Sequence, residues 1–163
     1  MNPRKNQTQQ VQELTALYRS MSLIRHVETA LTRLFANGEV PGFIHLSIGQ
    51  EGVAAGVASA LHQQDSLATT HRGHGHVLAR GMDVVGFMKE IMGRQGGLCK
   101  GRGGSMHLQW FEAGALGTNA IVGGGVPMGA GNAWAQKHSG TDDLTISYFG
   151  DGSSQIGSVL ESM

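Results

Sequence analysis

The residues most suited to chemistry lie near the end of the chain. Leu144 to Phe149, rich in β-branched and aromatic side chains, reads as a buried strand and runs into Gly150-Asp151-Gly152. The polar run Ser153-Ser154-Gln155 follows, and Gly157 to Met163 reads as the start of a helix. Strand, tight glycine turn and helix together offer backbone N–H groups and a helix dipole to a phosphate. Glycine lets the backbone come close to a ligand. Asp151 places a carboxylate where a divalent cation bridging two phosphates needs one, because a diphosphate holds magnesium through one or two carboxylates plus its own oxygens. Gly-Asp-Gly is also an ordinary turn sequence, so it needs support from the rest of the chain.

Histidine is the natural proton carrier near neutral pH. Three sets lie in glycine-bounded polar stretches: His45, the run His71-Arg72-Gly73-His74-Gly75-His76, and His107. The run is a poor zinc site, since no cysteine or carboxylate lies at usable spacing and Arg72 would repel a cation. Arg72 suits an anion instead, phosphate first. Arg94, Lys100 and Arg102 make a second basic, glycine-rich loop, but it lacks the phosphate-loop spacing and no strong strand precedes it. Any one of these histidines read alone is as well explained by a structural hydrogen bond.

The elements that must carry these groups follow from periodicity. Leu14, Leu17, Tyr18, Met21, Ile24, Val27, Leu31, Leu34 and Phe35 recur at three and four, so an amphipathic helix is expected from Val11 to Phe35, stopped by Asn37-Gly38. Residues 1–10 are polar and expected to be disordered. A second helix, Gln50 to Leu61, is almost wholly small and apolar. Ser66 to Thr70 reads as a short strand, Thr70 to His76 as a polar loop, Asp83 to Met92 as a helix, and Gly93 to Gly104 as a loop ending in Ser105-Met106-His107. Thr118 to Gly125 reads as a glycine-rich turn and Pro127 to Lys137 as a helix. Helices alternating with short strands argue for an α/β domain with a parallel sheet over 11–163. Gly52 and Gly56, like Gly125 and Gly129, stand four apart on helices, a spacing that serves either internal packing or a subunit contact.

Composition narrows the function classes. Formal net charge is zero over 163 residues, which gives no footing for nucleic acid. Only 15% of residues are charged and 26 are glycine, a balance suited to close backbone packing and to surface covered by partners. The single cysteine, Cys99, excludes an internal disulfide and fits a reducing compartment; no apolar run approaches a membrane span, so a cytoplasmic protein is expected.

Taken together, PGFIHLSIGQEGVAAGVASAL, THRGHGHVLARG, GRQGGLCKGRGGSMHL, NAIVGGGVPMGAG and GDGSSQIGSVLESM resemble the α subunit of thiamine-diphosphate-dependent 2-oxo acid and acetoin dehydrogenases. The resemblance implies a thiamine-diphosphate-binding fold, a parallel sheet flanked by helices. It implies that Asp151 is a magnesium ligand, that Gly152, Ser153 and Arg72 meet the diphosphate with His71 beside them, and that Ala120 and Val122 meet the aminopyrimidine ring. It makes His45 the active-site histidine near substrate and puts His107 on a mobile loop over the entrance. It makes the paired glycines subunit contacts, with a β subunit completing a heterotetramer and a lipoyl acyltransferase taking the product. His71 stands where pyruvate-specific members often have tyrosine; THRGHGH, GRGGSMHL and LESM look closest to acetoin dehydrogenase, with pyruvate and then branched 2-oxo acids behind acetoin as substrate. The family's second metal ligand, an asparagine beyond the glycine turn, is not in this sequence, which stops at Met163 inside the helix that should continue. The chain therefore reads as an N-terminal half, expected to lack turnover by itself; a fragment that only binds partners is the competing reading.

Overall fold

The computed structural model describes residues 7–163. Helix α1 runs from Gln7 to Ala36, so it opens four residues ahead of Val11, and residues 1–6 of the expected N-terminal tail lie outside the described residues. It ends in a Schellman cap: Gly38 takes φ +76°, its N–H bonds the Phe35 carbonyl, and the Glu39 N–H bonds the Leu34 carbonyl. Only the C-terminal part of its apolar stripe is buried, through Ile24, Val27 and Leu31. Leu14 and Tyr18 on the same stripe stay exposed, because α1 packs on α2 (Glu51–Ala60) and α3 (His74–Ala79) through its later turns.

Three parallel strands make the sheet, in the order β2 (Ala115–Asn119), β1 (Ser66–Thr70), β3 (Thr145–Ser147). The central strand β1 is buried along almost its whole length. From β1 the chain passes through α3, α4 (Val84–Ile91) and the glycine-rich loop to β2, then through α5 (Gly125–His138) to β3 on the other side of β1. The α/β class and the parallel sheet expected from the sequence are both present. Among the described residues no helix is long and apolar enough to cross a membrane.

The expected elements mostly form, with three differences. The stretch after Arg72 is helix α3 rather than loop, because its polar residues His74 and His76 find partners in the core. Strand β2 was not expected: Ala-Leu-Gly-Thr-Asn has weak strand propensity and owes its conformation to pairing with β1. Strand β3 is shorter than Leu144–Phe149, although the Tyr148 N–H still reaches the Ala68 carbonyl. Helix α5 starts two residues before Pro127, which sits in the first turn where its missing N–H costs nothing. Helix α4 is capped by Asp83, whose carboxylate accepts the Gly86 N–H at 2.6 Å. The core gathers Ile24 and Leu31 of α1, Leu67 of β1, Phe87 and Ile91 of α4, and Leu108.

Candidate active site

The carboxyl ends of β1 and β3 open on a cavity of about 420 Å³, a size and position suited to a small ligand in an open α/β sheet. His71 and Arg72 come to it from the end of β1, Val122 and Gly123 from the turn before α5, and Asp151, Gly152 and Ser153 from the turn after β3. The chain thus folds three of its candidate segments into one wall. Gln50 and Val53 at the start of α2, His76 of α3 and Tyr148 also line it.

The glycine turn has an open face. A Cβ built on Gly150 or Gly152 would meet nothing within 4 Å. Asp151 to Ser153 form a 3₁₀ turn in which both the Ser153 N–H, at 3.0 Å, and its hydroxyl, at 2.7 Å, bond the Gly150 carbonyl. Ser153 thus lines the cavity with its own donors already engaged. The Asp151 carboxylate is exposed, and no trio of metal-ligating side chains exists among the described residues. A cation here would take one protein carboxylate and draw its other ligands from phosphate and water, which fits magnesium with a diphosphate. Gly123, with φ +78°, lets the turn pass Val159, whose methyl would stand 3.0 Å from any Cβ there.

On the β1 side, the Arg72 guanidinium donates to the Leu46 carbonyl, which holds it beside the segment carrying His45. The His45 and His71 rings meet edge to face at 4.9 Å. Burial, and then the charges of His45 and Arg72, push the His71 imidazole toward its neutral form. His45 Nδ1 is sealed from solvent without a hydrogen-bond partner, the one such side-chain atom among the described residues, and His45 itself stands behind His71 rather than among the residues that line the cavity. His45, His107 and Ala120 do not line the cavity: His107 is exposed at the end of the glycine-rich loop, and Ala120 comes just before Ile121 and Val122, which do line it.

Beneath the cavity runs a buried polar chain that sequence reasoning missed. Glu28, fully buried on α1, accepts from His74 Nδ1 at 2.8 Å and from the Ser47 N–H at 2.8 Å. His74 Nε2 meets Ser105 Oγ at 2.8 Å, and that hydroxyl accepts the His45 N–H at 3.2 Å. Carboxylate, imidazole and hydroxyl stand as in a hydrolytic triad, but all three are buried, so the row acts as a brace tying α1, α3 and the end of the glycine-rich loop to His45. Glu90, also fully buried, works the same way for the loop itself. Its two oxygens accept the N–H groups of Cys99 at 2.7 Å, Gly101 at 2.8 Å, Gly103 at 2.7 Å and Gly104 at 3.3 Å. Successive left-handed residues, Lys100 at φ 60° and Gly101 at φ 73°, let the backbone wrap round the carboxylate. A signal for both glutamates was present: each falls on the buried stripe of its helix, Glu28 with Ile24, Val27 and Leu31, and Glu90 with Phe87 and Ile91. A charge at such a position implies a buried partner.

Residues 19–163 match the family model described as "Dehydrogenase E1 component". The chain belongs to this family. Curated E1 relatives are similar in sequence: the α subunit of an acetoin:2,6-dichlorophenolindophenol oxidoreductase from Bacillus subtilis is 46% identical over 147 residues, covering 90% of this chain and 44% of the relative. The protein of the same name from Cupriavidus necator is 45% identical over 150 residues, 92% of this chain and 45% of the relative. The α subunit of a pyruvate dehydrogenase E1 component from Rhizobium meliloti is 46% identical over 145 residues, 89% and 42% respectively. The chain spans less than half the length of these E1 relatives.

Proposed function

We propose that these residues form the diphosphate-binding part of a thiamine-diphosphate-dependent dehydrogenase α subunit acting on acetoin, with pyruvate as the next candidate. The observation that supports this most is the meeting of Arg72, Val122 and Asp151, from segments far apart in sequence, around one cavity at the carboxyl ends of β1 and β3. When bound, the cofactor supplies a nucleophilic carbanion and an electron sink for the C–C bond that breaks. The chain's own groups bind and orient. Asp151 offers its carboxylate to magnesium, and Arg72 offers a planar cation to the phosphates. The turn with Val122 offers backbone to the aminopyrimidine ring. His71, held toward its neutral form, and His45 against it are the proton-handling groups at the β1 side near the reacting carbonyl, while His107 is carried on the loop outside the cavity. A β subunit would complete the site and a lipoyl acyltransferase would receive the two-carbon unit. His71, in the position where the resemblance puts tyrosine in pyruvate-specific members, favours acetoin.

The test uses the protein expressed from its own gene, with its partner subunit. Asp151→Asn and Arg72→Ala should each weaken thiamine diphosphate binding, measured by calorimetry with magnesium, by about ten- to a hundredfold. Wild-type affinity in both variants would overturn the assignment. A higher kcat/KM for acetoin than for pyruvate, with an artificial electron acceptor, is expected; the reverse order moves the substrate to pyruvate.

A further inference from the structure

His76 stands apart from His71, the other histidine that lines the cavity. It is the one inside a helix, it is buried, and its ring stacks on Tyr148 with centroids 3.7 Å apart and planes 11° off parallel. Its Nδ1 lies 2.6 Å from the hydroxyl of Thr69 on β1. Thr69 is fully buried, and that hydroxyl has no other hydrogen-bond partner among the described residues. Its hydrogen therefore has one acceptor in reach, His76 Nδ1. If Nδ1 carried a proton instead, the buried hydroxyl hydrogen would be left unmet, at a cost the other tautomer avoids. The network thus puts the ring's proton on Nε2. That atom has no partner among the described residues, and it is not sealed from solvent, since His45 Nδ1 alone has both properties among them. The ring lines the cavity, so Nε2–H is a donor with open space before it.

We propose that His76 is a ligand-binding residue whose Nε2–H donates to a phosphate oxygen of the diphosphate in this cavity, an inference that rests on the function proposed above. The anion-binding features of the wall line the same cavity. Arg72 is four residues ahead in the chain, and the stacked Tyr148 is two residues before Gly150, where the glycine turn begins. Burial holds the imidazole down to about 4, so at neutral pH it remains an uncharged donor of fixed tautomer. Thr69 sets the tautomer and Tyr148 sets the plane, so the donor is aimed before any ligand arrives.

The experiment takes the protein expressed from its own gene, with its partner subunit and ¹⁵N-labelled histidine. Long-range ¹H–¹⁵N correlation should show His76 protonated at Nε2 and not at Nδ1, and the Nε2 signal should move on adding magnesium pyrophosphate or thiamine diphosphate. His76→Phe keeps the stack on Tyr148 and removes the donor, so it should weaken both probes about tenfold or more by calorimetry. His76→Gln, which keeps an N–H, should weaken them less. A proton on Nδ1, unchanged pyrophosphate affinity in His76→Phe, or an effect on the KM for acetoin alone would overturn the proposal. The tautomer reading needs no substitution and stands even where a variant fails to fold. Failure of the wild type to bind either probe would overturn the cofactor reading and this inference together, whereas binding by the wild type with no loss in His76→Phe removes only the inference.

Discussion

Two helices of this chain carry the same spacing of glycines and use it in opposite ways. On α5, Gly125 and Gly129 face the sheet. A Cβ on Gly125 would lie 3.4 Å from the Thr69 carbonyl oxygen, and one on Gly129 would run into the Ser147 hydroxyl and stand 3.3 Å from Ser147 Cβ. On α2, a Cβ on Gly52 would touch only Met21 at 4.0 Å, and one on Gly56 would touch nothing within 4 Å. Helix α2 is fixed instead by the buried Ala54 and Ala55 and by charge: Glu51 at its start accepts from Arg25 Nε of α1 at 2.6 Å and from the Gly49 N–H at 3.1 Å. One helix is held by shape and the other by an ion pair. Glycine spacing therefore says that a backbone can be approached closely, and the neighbours decide whether it is.

The contrast breaks most sharply at Gly129. Replacing it with leucine should cost about 3 kcal/mol by forcing α5 off β3, measured by urea unfolding; an unchanged midpoint would show that the contact is loose. Glu51→Gln should cost less and should leave a pH signature. The hydrogen bond from Arg25, with the pair's attraction and the Gly49 N–H adding to it, holds the Glu51 carboxyl down to about 2, against 4.5 for the free group. A depressed carboxylate stabilises the fold fully above its unfolded value and loses that contribution as pH falls through its folded value. The gap in unfolding midpoint between wild type and Glu51→Gln should therefore be full at pH 7 and close as pH falls from about 4.5 toward about 2. A gap that is constant with pH would assign the effect to packing. Smallest, and opposite in sign, Gly56→Ala should stabilise the chain by about 0.5–1 kcal/mol, because alanine is the better helix former and the site is open. A loss in thermal midpoint at Gly56 would mean that α2 is packed there after all.

How much the sequence revealed follows the same division between local and distant causes. The α1 cap at Gly38, the Asp83-capped helix, strand β1 and the glycine turn at Asp151 are written in residues that lie next to each other, and they form as expected. Strand β2 could not be read because its residues favour no strand until β1 pairs with them. Helix α3 looked like a loop because the groups that pay for burying His74 and His76 are Glu28, Ser105 and Thr69, the first two far off in sequence. The candidate site divides likewise: His71, Arg72, Val122, Asp151, Gly152 and Ser153 share one wall, while the buried glutamates beside it, Glu28 and Glu90, meet their partners only in the folded chain.

The grip of Glu90 on the glycine-rich loop also bears on the chemistry of the loop's sulfur. Cys99, the chain's single cysteine, gives its N–H to that carboxylate, and its thiol points to the carbonyls of His107 and Gln109 at 3.7 Å. Burial raises the thiol above its usual ionisation range, so in the closed loop it is a slow nucleophile. The carboxylate that shapes the loop thus also fixes where its sulfur stands, with the Cys99 N–H held by Glu90 and the thiol turned to two carbonyls.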